Sequence, residues 1–328
     1  MITTVTLNTS VDKLYLVEKL EDYTVMRVKK VSNTAGGKGL NVSKVAHLLG
    51  EKVSALGFVG GFNGSYVSSL LEAQGIRAGF TRIQAETRSC INIRELSTGR
   101  HTEFLEPGAP VTHAECDEFL SGYRETLPNS QVVTISGSVP AGVEVDFYGK
   151  LVSLAKQGGI PVIVDTSGAL LAETVKAKPT MIKPNTDEIG QLLGRRVQSR
   201  QEVIDAAWEL HQSGIPYVVV SLGKDGSVMA CEEGIFQGIT PDIPVVNTVG
   251  CGDSMVAGFA AAMARRKGPE EMLRLATAVS TANALTMQTG HFEQEDLDRV
   301  LPLTAVKKKN SGEIRGRNDK SGLKSGET

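Results

Sequence analysis

The stretch Asn247–Ser254, NTVGCGDS, sets a carboxylate beside two glycines at the start of a helix-like run, Met255–Ala264. Gly250 and Gly252 let the backbone turn tightly enough for successive amides to point at one spot. Amides gathered at a helix N-terminus bind anions, because the N–H dipoles and the helix macrodipole add there. Asp253 falls in the first helical turn, at the mouth of that anion hole. A carboxylate so placed can take the proton of an attacking hydroxyl, while the amides of the turn hold the charge of a phosphoryl group in transfer. The plainer alternative is a glycine turn with Asp253 as N-cap. Cys251 has no histidine in a motif beside it and reads as a small residue in a tight loop, not a nucleophile.

Four further stretches carry useful groups. Ala35–Asn41, AGGKGLN, also opens a helix. Lys38 there offers a point charge to a phosphate, and Asn41 a donor and an acceptor to sugar hydroxyls; the alternative is a strand-to-helix turn with a solvated lysine. Lys183–Glu188, KPNTDE, ends a buried strand and starts a helix. It could set Asn185 and Glu188 near a metal or its waters, or it is an Asn cap with a first-turn acid. Ser221–Gly226, SLGKDG, ends another strand, where open α/β sheets bind ligands, or is merely a hairpin. Arg88 offers a fork to a phosphate, or is solvated. The five histidines show no metal spacing. Neither glycine turn is a Walker A loop, and the third glycine of a dinucleotide fingerprint would fall on Met255.

These groups need a scaffold, and the pattern supplies one. Short apolar runs of buried-strand type (Ile2–Leu7, Lys52–Phe58, Val132–Ser136, Pro161–Asp165, Met181–Lys183, Tyr217–Ser221, Ile243–Val246) alternate with helix-like segments. The latter include Leu40–Leu49, Tyr66–Gln74, Phe147–Gln157, Asp187–Leu193, Arg200–Ser213 and Ser254–Arg266. A glycine turn spans 60–64. Such alternation predicts an α/β fold with a doubly wound, mostly parallel sheet. One region breaks the rhythm. Thr87–Glu106 reads as two strands around a turn at Thr98-Gly99, and with Leu14–Leu16 and Val25–Val31 it predicts a small antiparallel flap, over about 12–31 and 87–106, that covers a site or pairs with a second subunit.

The chain has 328 residues and a net charge of −2. Residues 307–328 hold seven basic and three acidic side chains, net +4, which leaves −6 for residues 1–306. That balance argues against nucleic-acid binding and a membrane partner. No apolar stretch nears the length of a membrane span. The start, MITTVTLNTSVDKLYLV, lacks the pattern of a secretory signal, and four scattered cysteines read as reduced thiols, so the expected setting is cytoplasmic. Residues 1–303 read as one domain, and 304–328 as a disordered basic tail.

The order of the motifs, with GGKGLN, K-P-N-x-x-E, S-L-G-x-x-G and G-x-G-D in succession, resembles the ribokinase-like (phosphofructokinase B) sugar kinases over about residues 1–303. Thr6-Leu7-Asn8 leading to Asp12, with Glu86–Cys90, Ile135–Pro140 and Asp165–Gly168, resembles the branch that phosphorylates sugar phosphates. That branch includes tagatose-6-phosphate kinase and 1-phosphofructokinase; Thr87–Ile91 and Gln288–Gly290 are similar to the former. The resemblance implies phosphoryl transfer from ATP, with Mg²⁺, to a ketohexose phosphate. A nucleoside kinase or a silent sugar-phosphate sensor is a more distant alternative. It implies Asp253 as the base, Gly250, Cys251 and Gly252 as the anion hole, and Asp12, Gly37 and Asn41 on sugar hydroxyls. Lys38 and Arg88, with Arg27, would grip the phosphate already on the substrate. Asn185 and Glu188 would organise Mg²⁺ through water, and Lys183 would approach the ATP phosphates. Ser221, Gly223 and Gly226 would line the nucleotide groove, Asn283 would border the adenine, and a homodimer would form through the flap. Three positions depart from the family pattern: Thr9 stands for Pro, Cys251 for Ala or Ser, and Asn247 for the Asp that bears on a monovalent-cation site. Cys251 predicts sensitivity to thiol reagents.

Overall fold

The computed structural model describes residues 1–309. The chain begins β1 (Ile2–Thr6), β2 (Ser10–Val17), β3 (Lys30–Gly36), α1 (Lys38–Leu48), β4 (Val53–Gly60), α2 (Gly61–Glu72), β5 (Arg77–Ala78) and β6 (Thr81–Ile83). It continues β7 (Arg88–Glu95), β8 (His101–Leu105), α3 (His113–Thr126), β9 (Val132–Ser136), α4 (Phe147–Gln157), β10 (Val162–Asp165), α5 (Gly168–Lys176) and β11 (Met181–Ile182). It ends α6 (Thr186–Leu193), α7 (Arg200–Gln212), β12 (Tyr217–Ser221), β13 (Ser227–Cys231), β14 (Gly234–Ile239), α8 (Cys251–Ala264), α9 (Pro269–Ala284), α10 (Gln294–Val300) and β15 (Ala305–Lys309).

The large sheet has the order β15-β14-β13-β12-β11-β10-β9-β1-β4-β5, with β6 against β4. From β5 to β12 every neighbour is parallel, and from β12 to β15 every neighbour is antiparallel. β-Branched runs such as VVTIS and VIVD suit strands buried on both faces. One face packs on α1, α8 and α9 through Leu40, Val256, Phe259 and Val279. The other packs on the helices from α3 to α7 through Phe119, Tyr148, Leu151, Leu171 and Ala207. Each such large apolar side chain contributes about 1.5–3 kcal/mol on burial. Residues 253–262 of α8 are all buried, and small side chains allow this: a Cβ on Gly258 would lie 2.6 Å from Ala276 Cα of α9.

The flap is a separate four-stranded sheet of order β3-β2-β7-β8. Its hairpins, β2–β3 and β7–β8, are antiparallel as expected. The middle pair, β2–β7, is parallel, because the chain crosses the main sheet between the two strands.

Several expected boundaries move. Ile243–Val246 is not a strand: Pro241 and Pro244 cannot donate to a ladder, and the Val246 and Asn247 amides bond Ala284 O instead. Val25–Val31 is mostly exposed loop, and the strand expected there lies at Lys30–Gly36. The glycine turn at 60–64 becomes helical at Gly61, because the Glu86 carboxylate accepts the amides of Phe62 and Asn63. Residues 305–309, expected in the disordered tail, form a strand instead. Ala305–Lys309 pairs with β14, and Lys308 lies over the Phe236 ring at 5.2 Å. The rest of that tail, 310–328, lies outside the described residues.

Candidate active site

Four charged side chains meet at the carboxyl edge of the parallel strands. Asp165 is the last residue of β10, and Lys183 follows β11 directly. The register Val164↔Ile182 sets them side by side, and Lys183 Nζ lies 3.2 Å from Asp165 Oδ1. Lys38, first residue of α1, reaches Asp165 Oδ2 at 3.0 Å and Asp253 Oδ1 at 3.1 Å. The result is an alternating row, Lys183–Asp165–Lys38–Asp253. Asp165 and Lys183 are buried, whereas the Lys38 side chain is 47% exposed and so open to a ligand. Burial alone would push the Asp165 carboxyl up, but Lys183 and then Lys38 overcome it and hold it below the ordinary carboxylate value. Burial alone would likewise depress the Lys38 ammonium, and Asp165 and Asp253 more than reverse it.

The glycine turn before α8 has the expected form. Gly250 caps the helix in the left-handed region at φ 82°, where a Cβ would also strike Thr289 Cγ2 at 2.8 Å. Asp253 is buried, with Oδ2 accepting from Asn41 Nδ2 at 2.8 Å. The amides of Gly252 and Asp253 find no partner among the described residues. The Cys251 amide turns back to Thr248 O at 3.3 Å, so its part in the anion hole falls to its neighbours. Burial pushes the Cys251 thiol up, which lowers its thiolate fraction and weighs against ready attack by thiol reagents at neutral pH.

Asn283 does not border an open nucleotide groove. It is fully buried, its Oδ1 accepts from Ser254 Oγ, Gly290 N and His291 N, and its Nδ2 donates to Val249 O at 3.1 Å. It is a strut joining the glycine turn to the 286–291 loop. Asn247 braces the same loop, donating to Met287 O at 3.3 Å while its Oδ1 accepts from Val249 N.

Alternation along the flap strands determines what faces the core. Ser10, Asp12, Leu14 and Leu16 share one face of β2, and the parallel register sets them against Arg88, Cys90, Asn92 and Arg94 of β7. All eight line a cavity of about 700 Å³ whose far wall is Gly37, Lys38, Asn41, Gly250, Gly252 and Asp253. Asp12 accepts from Ser10 Oγ at 2.6 Å, and burial pushes its carboxyl up, partly offset by that bond and by Lys44 and Arg88. A Cβ on Gly36, which pairs with Ser10, would fall 1.9 Å from Asp12 Oδ1, so a larger residue there would displace the Asp12 carboxylate. Arg88 is steadied by Glu106 O and Asn8 O at 2.8 and 3.0 Å, while its Nε is buried without a partner. Arg27 does not join this set: it lies exposed in the loop before β3, outside the cavity lining.

Of the residues expected on the nucleotide side, Asn185 and Ser221 line a second cavity of about 520 Å³, together with Arg200 and Asp225. An isolated bridge joins Asn185 to Ser221. Asn185 and Glu188 form a capping box at the start of α6: Asn185 Oδ1 accepts Glu188 N at 2.9 Å, and Glu188 Oε2 accepts Asn185 N at 2.8 Å. The plain structural reading of that pair therefore holds, with one Glu188 oxygen committed. Ser221–Gly226 is the β12–β13 hairpin. Gly226 packs against Gly238 O, where a Cβ would lie at 2.0 Å, whereas Gly223 faces open space. Three residues were not singled out from sequence: Asp165, Lys44 and Arg94. The i, i+2 step from Arg88 leads to Arg94, and a carboxylate ending a buried strand marks Asp165. No sequence signal marks Lys44, which sits among apolar α1 residues.

The chain matches the pfkB family of carbohydrate kinases over residues 5–296. A tagatose-6-phosphate kinase of Staphylococcus epidermidis is 41% identical over 304 residues, which is 92% of this chain and 97% of that protein. Phosphofructokinase-2 from Escherichia coli in complex with potassium superimposes with a TM-score of 0.86 at 29% identity, over 92% of this chain and 98% of that one. A Thermotoga maritima protein described as a possible 1-phosphofructokinase does so with a TM-score of 0.86 at 27% identity, over 94% and 100%. Sequence and fold agree, and the protein belongs to the pfkB family of ATP-dependent carbohydrate kinases.

Proposed function

We propose that the protein is a tagatose-6-phosphate kinase. One observation carries this: the Asp253 carboxylate stands at the orphan amides of α8, 3.1 Å from the Lys38 ammonium, on the wall of a cavity whose opposite wall presents Arg88 and Arg94. The 41% identity to a tagatose-6-phosphate kinase supports the choice of acceptor. Asp253 takes the proton of the acceptor hydroxyl, the new oxygen–phosphorus bond forms as the bond to the β-phosphate oxygen breaks, and ADP leaves. The amides of Gly252 and Asp253 hold the equatorial oxygens of the group in flight. Asp12, Gly37 and Asn41 hold the sugar. Arg88, whose two terminal nitrogens each keep an N–H beyond those given to Glu106 O and Asn8 O, grips the phosphate already present. Lys38 lies too close to Asp253 for that task, and its role moves to the transfer centre.

Lys183 and the Ser221–Gly223 turn take the nucleotide side. Mg²⁺ would supply charge neutralisation for the ATP phosphates, and Asn185 and Glu188, engaged in their capping box, would hold it through water. A monovalent cation near residue 247 would meet a neutral amide whose oxygen already accepts from Val249 N on one of its two lone pairs, and no step depends on it. Exposed Val31, Phe104 and Leu105 on the flap support a homodimer through it. No helix of the described residues is long and apolar enough to cross a membrane. Four free thiols and ATP as donor support a cytoplasmic setting.

The test is ADP release with Mg–ATP against tagatose 6-phosphate, fructose 1-phosphate, fructose 6-phosphate and fructose in parallel. A preference for tagatose 6-phosphate is expected. A preference for fructose 1-phosphate would select the 1-phosphofructokinase reading, which the Thermotoga structure favours. Turnover of free fructose alone would overturn the role of Arg88.

A further inference from the structure

Lys44 is a buried lysine that the reaction above leaves unused. It lies on α1, 7% exposed, two turns from Lys38. Its Nζ donates to Ala35 O, at the end of β3, at 3.2 Å, and to Thr289 O, in the 286–291 loop, at 3.4 Å. Neither partner is charged, so the ammonium is held by hydrogen bonds but not neutralised by a contact ion pair. The charges that face it come from two other elements, Asp12 on β2 and Asp253 on α8. Asp12 is faced in turn by Arg88 on β7 and Glu103 on β8, and Asp253 is bonded to Lys38 and Asn41 on α1. Burying an ammonium without a paired carboxylate is expensive, and burial does pull Lys44 below the ordinary lysine range. A methionine would fill the same space at no such cost. Something must balance the penalty, and the two carboxylates that face the acceptor are the groups on hand.

We propose that Lys44 is a positioning residue of the active site, a shared buried counter-cation that holds Asp12 of the flap and Asp253 of the core together across the acceptor cavity while clamping the 286–291 loop behind them. The proposal rests on the acceptor reading given above. Because Lys44 bonds the last turn of β3 and the loop bearing Thr289, it also ties the flap's root to the wall of the cavity. Removing its charge leaves Asp12, already pushed up by burial, with only Arg88 and the Ser10 hydroxyl to favour its ionised form. The Asp12 carboxyl should then titrate at higher pH still, and the sugar should bind less well below that pH.

The experiment uses the full chain with Lys44→Met, Lys44→Arg and Lys44→Gln. Aspartate ¹³Cγ titration by NMR, with Asp12 assigned from Asp12→Asn, reads the carboxyl directly and needs no substrate. Steady-state kinetics with tagatose 6-phosphate reads the consequence. In Lys44→Met the Asp12 midpoint should move to higher pH, and KM for the sugar phosphate should rise by up to about tenfold at pH well below the wild-type midpoint. KM for ATP should stay unchanged. Lys44→Arg should restore both. Lys44→Gln keeps a donor without the charge, and serves if the methionine variant does not fold. An unchanged Asp12 midpoint in either folded neutral variant would overturn the proposal. If the wild type ignores all ketohexose phosphates while the Asp12 midpoint still moves, the acceptor reading has failed and the electrostatic assignment stands.

Discussion

Two glycine turns open two helices onto the same cavity, and they differ in the charge they carry. The turn before α8 puts Asp253 in the first helical turn, where the helix dipole favours an anion by about 0.3–1 kcal/mol. The turn before α1 puts Lys38 at the first helical position, with no acid in that turn, where the same dipole opposes a cation. The first arrangement would arise for folding alone. The second would not, and it is sustained by Asp165 and Asp253 at 3.0 and 3.1 Å. A half-exposed cation set against its own helix dipole, facing a cavity, is a group placed for an incoming anion. In the proposed reaction the α8 turn would supply the base and the amides, and the α1 turn the positive charge.

That contrast can be broken from either side. Asp253→Ala should lower kcat by about 10²–10⁴, with KM for both substrates largely kept, read in a coupled ADP assay. Wild-type turnover would remove Asp253 as the base. Arg88→Ala should raise KM for the sugar phosphate by about 10–100-fold and spare kcat, since hydrogen bonds to charged groups contribute about 1.5–3 kcal/mol. Gly250→Ala should destabilise by about 1–3 kcal/mol, read by chemical denaturation, because its φ of 82° and the Thr289 contact both exclude a Cβ.

The pH profile sharpens the account of the flap. Burial pushes the Asp12 carboxyl up, and in the proposed role its ionised form would accept sugar hydroxyls more strongly than the protonated one. The acidic limb of kcat/KM for the sugar phosphate should therefore lie above the ordinary carboxylate range, and activity should fall as pH drops through it. Asp12→Asn should abolish that limb. The smallest effect is expected at Cys251. Its thiol is pushed up by burial, so iodoacetamide at pH 7 should react slowly, and Cys251→Ala should keep kcat within about twofold.

Much of the scaffold was legible because local signals agreed. Val132–Ser136, Tyr217–Ser221 and Phe147–Gln157 lie where β-branched runs and helical spacing put them. The hairpin around Thr98-Gly99 followed from alternation and its turn residues. Legibility ended where pairing is long-range. Asp165 meets Lys183 only through the β10–β11 register, and Lys38 only across 127 residues of chain. Asn283 resembled a ligand neighbour by position, but its amide is used up inside the protein. Lys44 carried no signal at all, since a lysine in a helix is ordinarily solvated.

The most direct test of the contrast is single-turnover transfer from γ-labelled ATP to tagatose 6-phosphate by wild type and Lys38→Met, each paired with its Tm. The account predicts transfer by the folded protein slowed by about 10²-fold, the scale of losing one electrostatic donor, beside a fall in Tm as Asp165 and Asp253 lose a partner. A lowered Tm with transfer by the folded fraction intact would contradict it, and would make Lys38 a structural tie between Asp165 and Asp253.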